Sequence, residues 1–197
     1  MGQRYIIGDC HLDHKGISKF RKRKNGLTGM PYTSEEQHEL MYEALAQVNK
    51  RDHLFLMGDI AFSKEALARI KALPCRDKIL LVGNHCREFG IKMEDLVEAY
   101  DKVYSLRSYK GFWLSHAPIH PQELRGKLNI HGHLHYHHIL TEAAMLDSRY
   151  INVSAEYTGY KPILFEHVIS AQYYEECQEK FDEYVKLGYA DNTCIIN

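Results

Sequence analysis

Five short apolar runs in this chain stop abruptly at glycine or polar clusters, and this repeated ending constrains the fold more than any other feature. Tyr5-Ile6-Ile7 precedes Gly8-Asp9, and Leu54 to Met57 precedes Gly58-Asp59. Ile79 to Val82 leads into Gly83-Asn84-His85, and Phe112-Trp113-Leu114 leads into Ser115-His116. Leu128-Asn129-Ile130 leads into His131-Gly132-His133. Apolar runs this short, bounded by glycine, read as buried strands. Helical spacing lies between them. Residues 35–50 place Leu40, Ala44, Leu45 and Val48 on one stripe, with Ser34 and Gln37 as a capping box. Ser63 caps a second helix carrying Ala66, Leu67 and Ile70, stopped by Pro74, and a last helix over residues 170–187 ends at Gly188. Strands alternating with helices predict an α/β fold, in which ligands collect at the carboxyl ends of the strands. Every polar cluster sits at such an end.

Length and composition narrow the classes. With 197 residues, 45 % hydrophobic and 26 % charged, the chain is expected to form one domain over residues 1–197 with an ordinary core. Disordered and collagen-like classes are excluded, and a net charge of −1 gives no general field for nucleic acid. Five cysteines are odd in number and lack CxxC spacing, which excludes a disulfide framework and points to a reducing compartment. No membrane span or signal pattern is visible, so a cytoplasmic protein with no membrane partner is expected. The unusual count is thirteen histidines, five of them between His131 and His138.

Single motifs are modest evidence of chemistry. Asp9-Cys10-His11 puts a carboxylate and an imidazole past a strand, and Gly132-His133-Leu134-His135 puts two imidazoles on one side of an extended segment, which suits two neighbouring ions. Asp59, Asn84, His85 and His116 are each common residues at strand ends. All of them in this order, with gaps of 50 residues from Asp9 to Asp59, then 25 to Asn84, 32 to His116 and 17 to His133, form one constellation. Over residues 4–165 it resembles the calcineurin-like metallophosphoesterases, whose motifs are D-x-H, G-D, G-N-H-D/E, H and G-H-x-H. It is most similar to small stand-alone bacterial and phage members, by His14 and by Asn152-Val153-Ser154 followed by Lys161-Pro162.

The resemblance implies a sandwich of two mixed β-sheets flanked by helices, and hydrolysis of a phosphodiester or phosphomonoester by a metal-activated hydroxide. Asp9, His11 and His135 would hold one divalent transition metal, Asn84, His116 and His133 another, and Asp59 would bridge them. Mixed imidazole and carboxylate donors suit Mn, with Fe, Zn, Ni or Co as alternatives, over Mg or Ca. His85 is implied as the general acid, and His14 and Arg21 as substrate contacts. One departure stands out: Cys86 occupies the position where the family has an acid that orients the histidine. A thiol does this poorly, so a carboxylate would have to come from elsewhere. Six bases and no acid lie between Lys15 and Lys24, a run that reads as a solvated loop or a phosphate-guiding lid. The expected partner is a phosphorylated small molecule or nucleotide. A nuclease acting on DNA or RNA, and a non-catalytic metal-binding scaffold, are the competing readings. The acidic last helix either covers the sheet or joins a second copy in a homo-oligomer.

Overall fold

A computed structural model describes residues 2–21, 24 and 30–191. Nine strands are assigned: β1 (Arg4–Ile7), β2 (His53–Leu56), β3 (Asp77–Leu81), β4 (Lys102–Tyr104), β5 (Leu106–Tyr109), β6 (Phe112–Ser115), β7 (Leu128–His131), β8 (Tyr150–Asn152) and β9 (Ile163–Leu164). The helices are α1 (Ile17–Phe20), α2 (Ser34–Ala46), α3 (Lys64–Lys71), α4 (Met93–Ala99), α5 (Ala155–Thr158), α6 (Phe165–Val168) and α7 (Ala171–Lys186). Two mixed sheets form. One has the order β4-β3-β2-β1-β9, parallel except for β9, and the other β5-β6-β7-β8, parallel except for β5.

The alternation of side chains along each strand builds two apolar layers. Ile7, Leu54, Leu56 and Leu80 face α2, α3 and α4 through Met41, Leu45, Ala66, Leu67, Ile70 and Leu96. Ile6, Phe55, Ile79 and Leu81 face the opposite way and cluster with Leu114 and Ile130 of the second sheet. Tyr173, Cys177 and Phe181 of α7 close this second cluster. The helix begins at a Ser170 cap and stops at Gly188 in the left-handed region, φ 71°.

The first long helix departs from its expected start. Its capping box is Thr33 with Glu36, one residue earlier than Ser34 with Gln37, and it ends at Ala46. The Ser34 hydroxyl is used elsewhere: it donates to Lys15 O and accepts from Ser18 N, tying α2 to the segment after β1. Among the described residues no helix is long and apolar enough to cross a membrane.

One buried histidine gives the fold a pH dependence. His138 is 1 % exposed, its Nδ1 lies 3.2 Å from Ile139 O, and burial pulls its pKa down to about 4. Below pH 6.5 the unfolded chain takes up a proton that the folded chain refuses until about pH 4. Stability attributable to this group is therefore complete above pH 6.5 and falls by about 1.4 kcal/mol per pH unit through that window. Denaturant titrations in chelator should show His138→Gln with a slope shallower by that amount. Parallel slopes would mean that His138 is hydrated and titrates normally.

Candidate metal centre

The parallel strands of both sheets deliver their carboxyl ends to one pole. The backbone ladder continues there: Gly8 N donates to Val153 O at 2.8 Å, His11 N to Asp59 O at 3.0 Å, and Gly132 N to His116 O at 2.8 Å. A parallel bridge between Gly8 and Ser154 joins the ends of β1 and β8, so the two sheets meet beneath the cluster.

Two sets of donor atoms come together. Asp9, His11 and His135 offer atoms that all lie within 4.8 Å of one another, and Asp59, His116 and His133 do the same. Asn84 adds to the second set, its Oδ1 lying 2.9 Å from His116 Nε2. His116 Nδ1 faces Met57 O at 2.9 Å, which turns Nε2 towards Asp59 Oδ2 at 3.2 Å and His133 Nδ1 at 3.1 Å. Asp59 belongs to the second set alone at this reach. The two histidines of the Gly132-His135 motif thus part, one to each set. The segment is not extended, however, since His133 and His135 sit at φ 70° and 51°.

Left-handed backbone recurs across the site. Asp9, His11 and Asp59 also have φ between 50° and 54°, so five of the seven expected ligands lie in a region that residues with a Cβ rarely enter. Such strain, of order 1–3 kcal/mol per residue, persists where surrounding contacts over-determine it, and it clusters at functional sites. The adjacent glycines allow the crowding. A Cβ on Gly58 would strike His116, one on Gly83 would strike the Asp59 carboxylate, and one on Gly132 would strike that of Asp9.

The charges around the pole favour a cation. Asp9, Asp59 and Glu156 are at most 2 % exposed, with Arg21 as a buried counter-charge. Burial lowers the His135 pKa, but the Glu156 charge and hydrogen bond and the Asp9 charge raise it overall, to about 9. Burial likewise opposes protonation of His116, and Asp59 and Asp9 override it. Burial pushes the Asp59 carboxyl up, yet His116 and His11 hold it below the usual range, whereas burial dominates at Asp9 and raises it. Asp9 Oδ1 and both ring nitrogens of His11 are buried without a hydrogen-bond partner. A cation between these atoms would satisfy them, so the donor set fits metal ions.

Two carboxylates that sequence reasoning missed brace histidines at the pole. Glu156 on α5 takes Arg21 Nε at 2.9 Å and lies 3.1 Å from His135 Nδ1, leaving Nε2 to face the pole. Arg21, expected to contact substrate, lines the cavity beside His11 and His135, is 3 % exposed, and gives its other donors to Asp9 O at 2.6 Å and Cys10 O at 3.3 Å. It holds the loop after β1. Glu88 answers the question raised by Cys86, for its Oε1 lies 2.6 Å from His85 Nδ1. The Cys86 sulfur accepts from Gly83 N at 3.1 Å and Asp59 N at 3.3 Å, and burial pushes its thiol up to about 11. It braces the Asp59 turn and does not touch His85 by any hydrogen bond. Cys10 is 1 % exposed, and burial raises its thiol too, so neither cysteine is a nucleophile.

His14 remains near the pole, 5.8 Å from the His11 ring. Of the basic run, Lys22 and Arg23 lie outside the described residues. His137, His53 and His167 face Asp191, Asp77 and Glu176, and none of them belongs to either donor set.

No family model matches the chain, and none of the curated proteins matches it. Among solved structures it is similar to AQ665, a protein of unknown function from Aquifex aeolicus, with 25 % identity and a TM-score of 0.60, over 85 % of this chain and 98 % of that one. It is also similar to the nuclease MPE of Pseudomonas putida, with 18 % identity and a TM-score of 0.41, over 70 % of this chain and 62 % of that one.

Proposed function

We propose that the chain is a dinuclear metal-dependent phosphoesterase of the calcineurin-like type, hydrolysing a phosphodiester or phosphomonoester. The observation that carries this reading is the pairing of two donor sets at one pole, three residues each plus Asn84, with their polar atoms turned inward. Asp9, His11 and His135 would hold one divalent cation and Asn84, His116 and His133 the other, with Asp59 shared. When bound, two such ions supply Lewis acidity and water activation at neutral pH. Cavities of about 610 and about 570 Å³ flank the pole, and His133 lines both, so each substituent of a diester has room.

The chain's own residues supply the rest. Glu88 fixes the His85 ring through Nδ1, leaving Nε2–H to give its proton to the leaving alkoxide oxygen. Glu88→Gln should lower turnover of esters with alkyl leaving groups about tenfold, and that of nitrophenyl esters less than about twofold, with metal content unchanged. His85→Asn should show the same selectivity with a larger loss. Equal losses on both substrates would remove His85 from proton donation.

The deciding experiment strips the protein with chelator, reloads it with Mn, Ni, Zn or Mg, and measures bound metal alongside hydrolysis of bis(4-nitrophenyl) phosphate and 4-nitrophenyl phosphate. Two ions per chain with hydrolysis of either ester support the reading. Two ions with no hydrolysis would favour the scaffold, and fewer than one ion would reject the metal centre.

A further inference from the structure

Two large aromatic side chains stand exposed beside the centre, and folding gives no reason for either. Phe20, at the end of α1, is 68 % exposed, and Phe89 is 69 % exposed. Phe89 also lies at φ 53°, a conformation that bulky residues rarely hold without a compensating contact. An exposed ring on a strained backbone costs stability on both counts.

Their placement gives them a use. Phe62 is the buried floor between them and the centre: its ring stacks on His11 at 4.9 Å and 21°, and lies 6.3 Å from His85 and 5.8 Å from Phe89. His14 stands edge-on to Phe62 at 5.1 Å, to Phe20 at 6.2 Å and to Phe89 at 6.5 Å. Phe20 and His14 line the same cavity as His11 and His135. Both exposed rings therefore lie within 6.5 Å of the His14 ring, and Phe62 links Phe89 to His11 and His85. Lys15, Lys19 and Arg87 are exposed on the same two segments, and no acid falls between Lys15 and Lys24. Exposed aromatic faces interleaved with positive charge are how proteins hold single-stranded nucleic acid, because every base offers a face to stack on while the phosphates meet the cations. In a duplex those faces are already stacked on one another.

We propose that Phe20 and Phe89 stack on bases flanking the scissile phosphate, so that the substrate is single-stranded nucleic acid. This rests on the phosphoesterase reading for its chemistry, but its binding test does not. The probe is a fluorescent single-stranded oligonucleotide of mixed sequence, titrated in chelator so that no cleavage occurs, beside an abasic strand of equal length and the matching duplex. Wild type should bind the base-bearing strand about tenfold or more tighter than the abasic strand or the duplex. Phe20→Ala and Phe89→Ala should each remove about tenfold from the base-bearing strand and nothing from the abasic one, while Phe89→Trp retains affinity. Both sites are exposed, so the melting temperatures should stay within about 2 °C of wild type.

Equal loss on both strands, or none, overturns the proposal. So does a dimer in sedimentation that Phe89→Ala dissociates while oligonucleotide affinity is unchanged. Hydrolysis of bis(4-nitrophenyl) phosphate in Mn separates the two readings. Its absence in wild type, together with that of 4-nitrophenyl phosphate hydrolysis, would reject the phosphoesterase and leave the stacking result standing, whereas its presence without base dependence rejects the platform alone.

Discussion

Glu156→Ala is expected to lower the unfolding free energy by about 3–5 kcal/mol. Glu156 and Arg21 are 2 % and 3 % exposed and paired at 2.9 Å, so deleting the carboxylate leaves a guanidinium buried without its counter-charge. Burial pushes the Glu156 carboxyl up, but Arg21 and His135 hold it well below the usual range. Its contribution is therefore complete above the ordinary glutamate pKa and disappears as the pH falls through the folded value. Denaturant midpoints at unchanged m-value would measure the loss at neutral pH. Arg21→Met combined with Glu156→Leu should recover most of the stability, since hydrophobic isosteres of a buried pair are often neutral. Metal affinity should not recover. Glu156→Gln alone is expected to weaken the Asp9, His11 and His135 set about 10- to 100-fold, because His135 loses the charged group that orients it. A Glu156→Ala loss under about 1 kcal/mol would show the pair to be hydrated.

Asp59→Asn should have the largest effect on activity, at least about 10³-fold in kcat/KM, with bound metal falling from two ions to one. The carboxylate meets His116 Nε2 at 3.2 Å through Oδ2 and takes the His85 N–H at 2.9 Å through Oδ1. It thus ties His116 to the turn that carries His85. Asparagine keeps the size and loses the charge, which separates electrostatics from packing. Metal analysis after dialysis and diester kinetics measure the two outcomes. Two retained ions with activity within tenfold of wild type would take Asp59 out of the centre.

The strand ends were legible because each couples a buried apolar run to glycine and ligand-type residues, and both signals are local. β6 and β7 were readable for that reason, whereas β4, β5, β8 and β9 were not. They are two to four residues long and carry mixed patterns such as Leu106-Arg107-Ser108-Tyr109, partly exposed in alternation at a sheet edge. The α2 cap was misplaced by one residue because Ser34 is drawn into a tertiary contact that no local pattern records. Glu156 looked like any helix acid, since its partners are 135 and 21 residues away in sequence. Glu88 lay three residues past His85 and could have been found by asking which carboxylate replaces the one that Cys86 displaces. The left-handed Asp and His residues had no sequence signal, because their conformation is imposed by loops bonded to one another across the pole.

That cross-bonded pole has a mechanical consequence. Asp9, His11 and Asp59 follow strands of the five-stranded sheet, while His116, His133 and His135 follow strands of the four-stranded one, and each donor set draws on both. Neither sheet can assemble a set by itself. A cation in either set would act as a rivet through the sandwich, adding its binding free energy to the cohesion between layers. Resistance of the sheets to separation would then follow the free metal concentration of the surroundings, and loss of metal would loosen the molecule along the seam between the sheets.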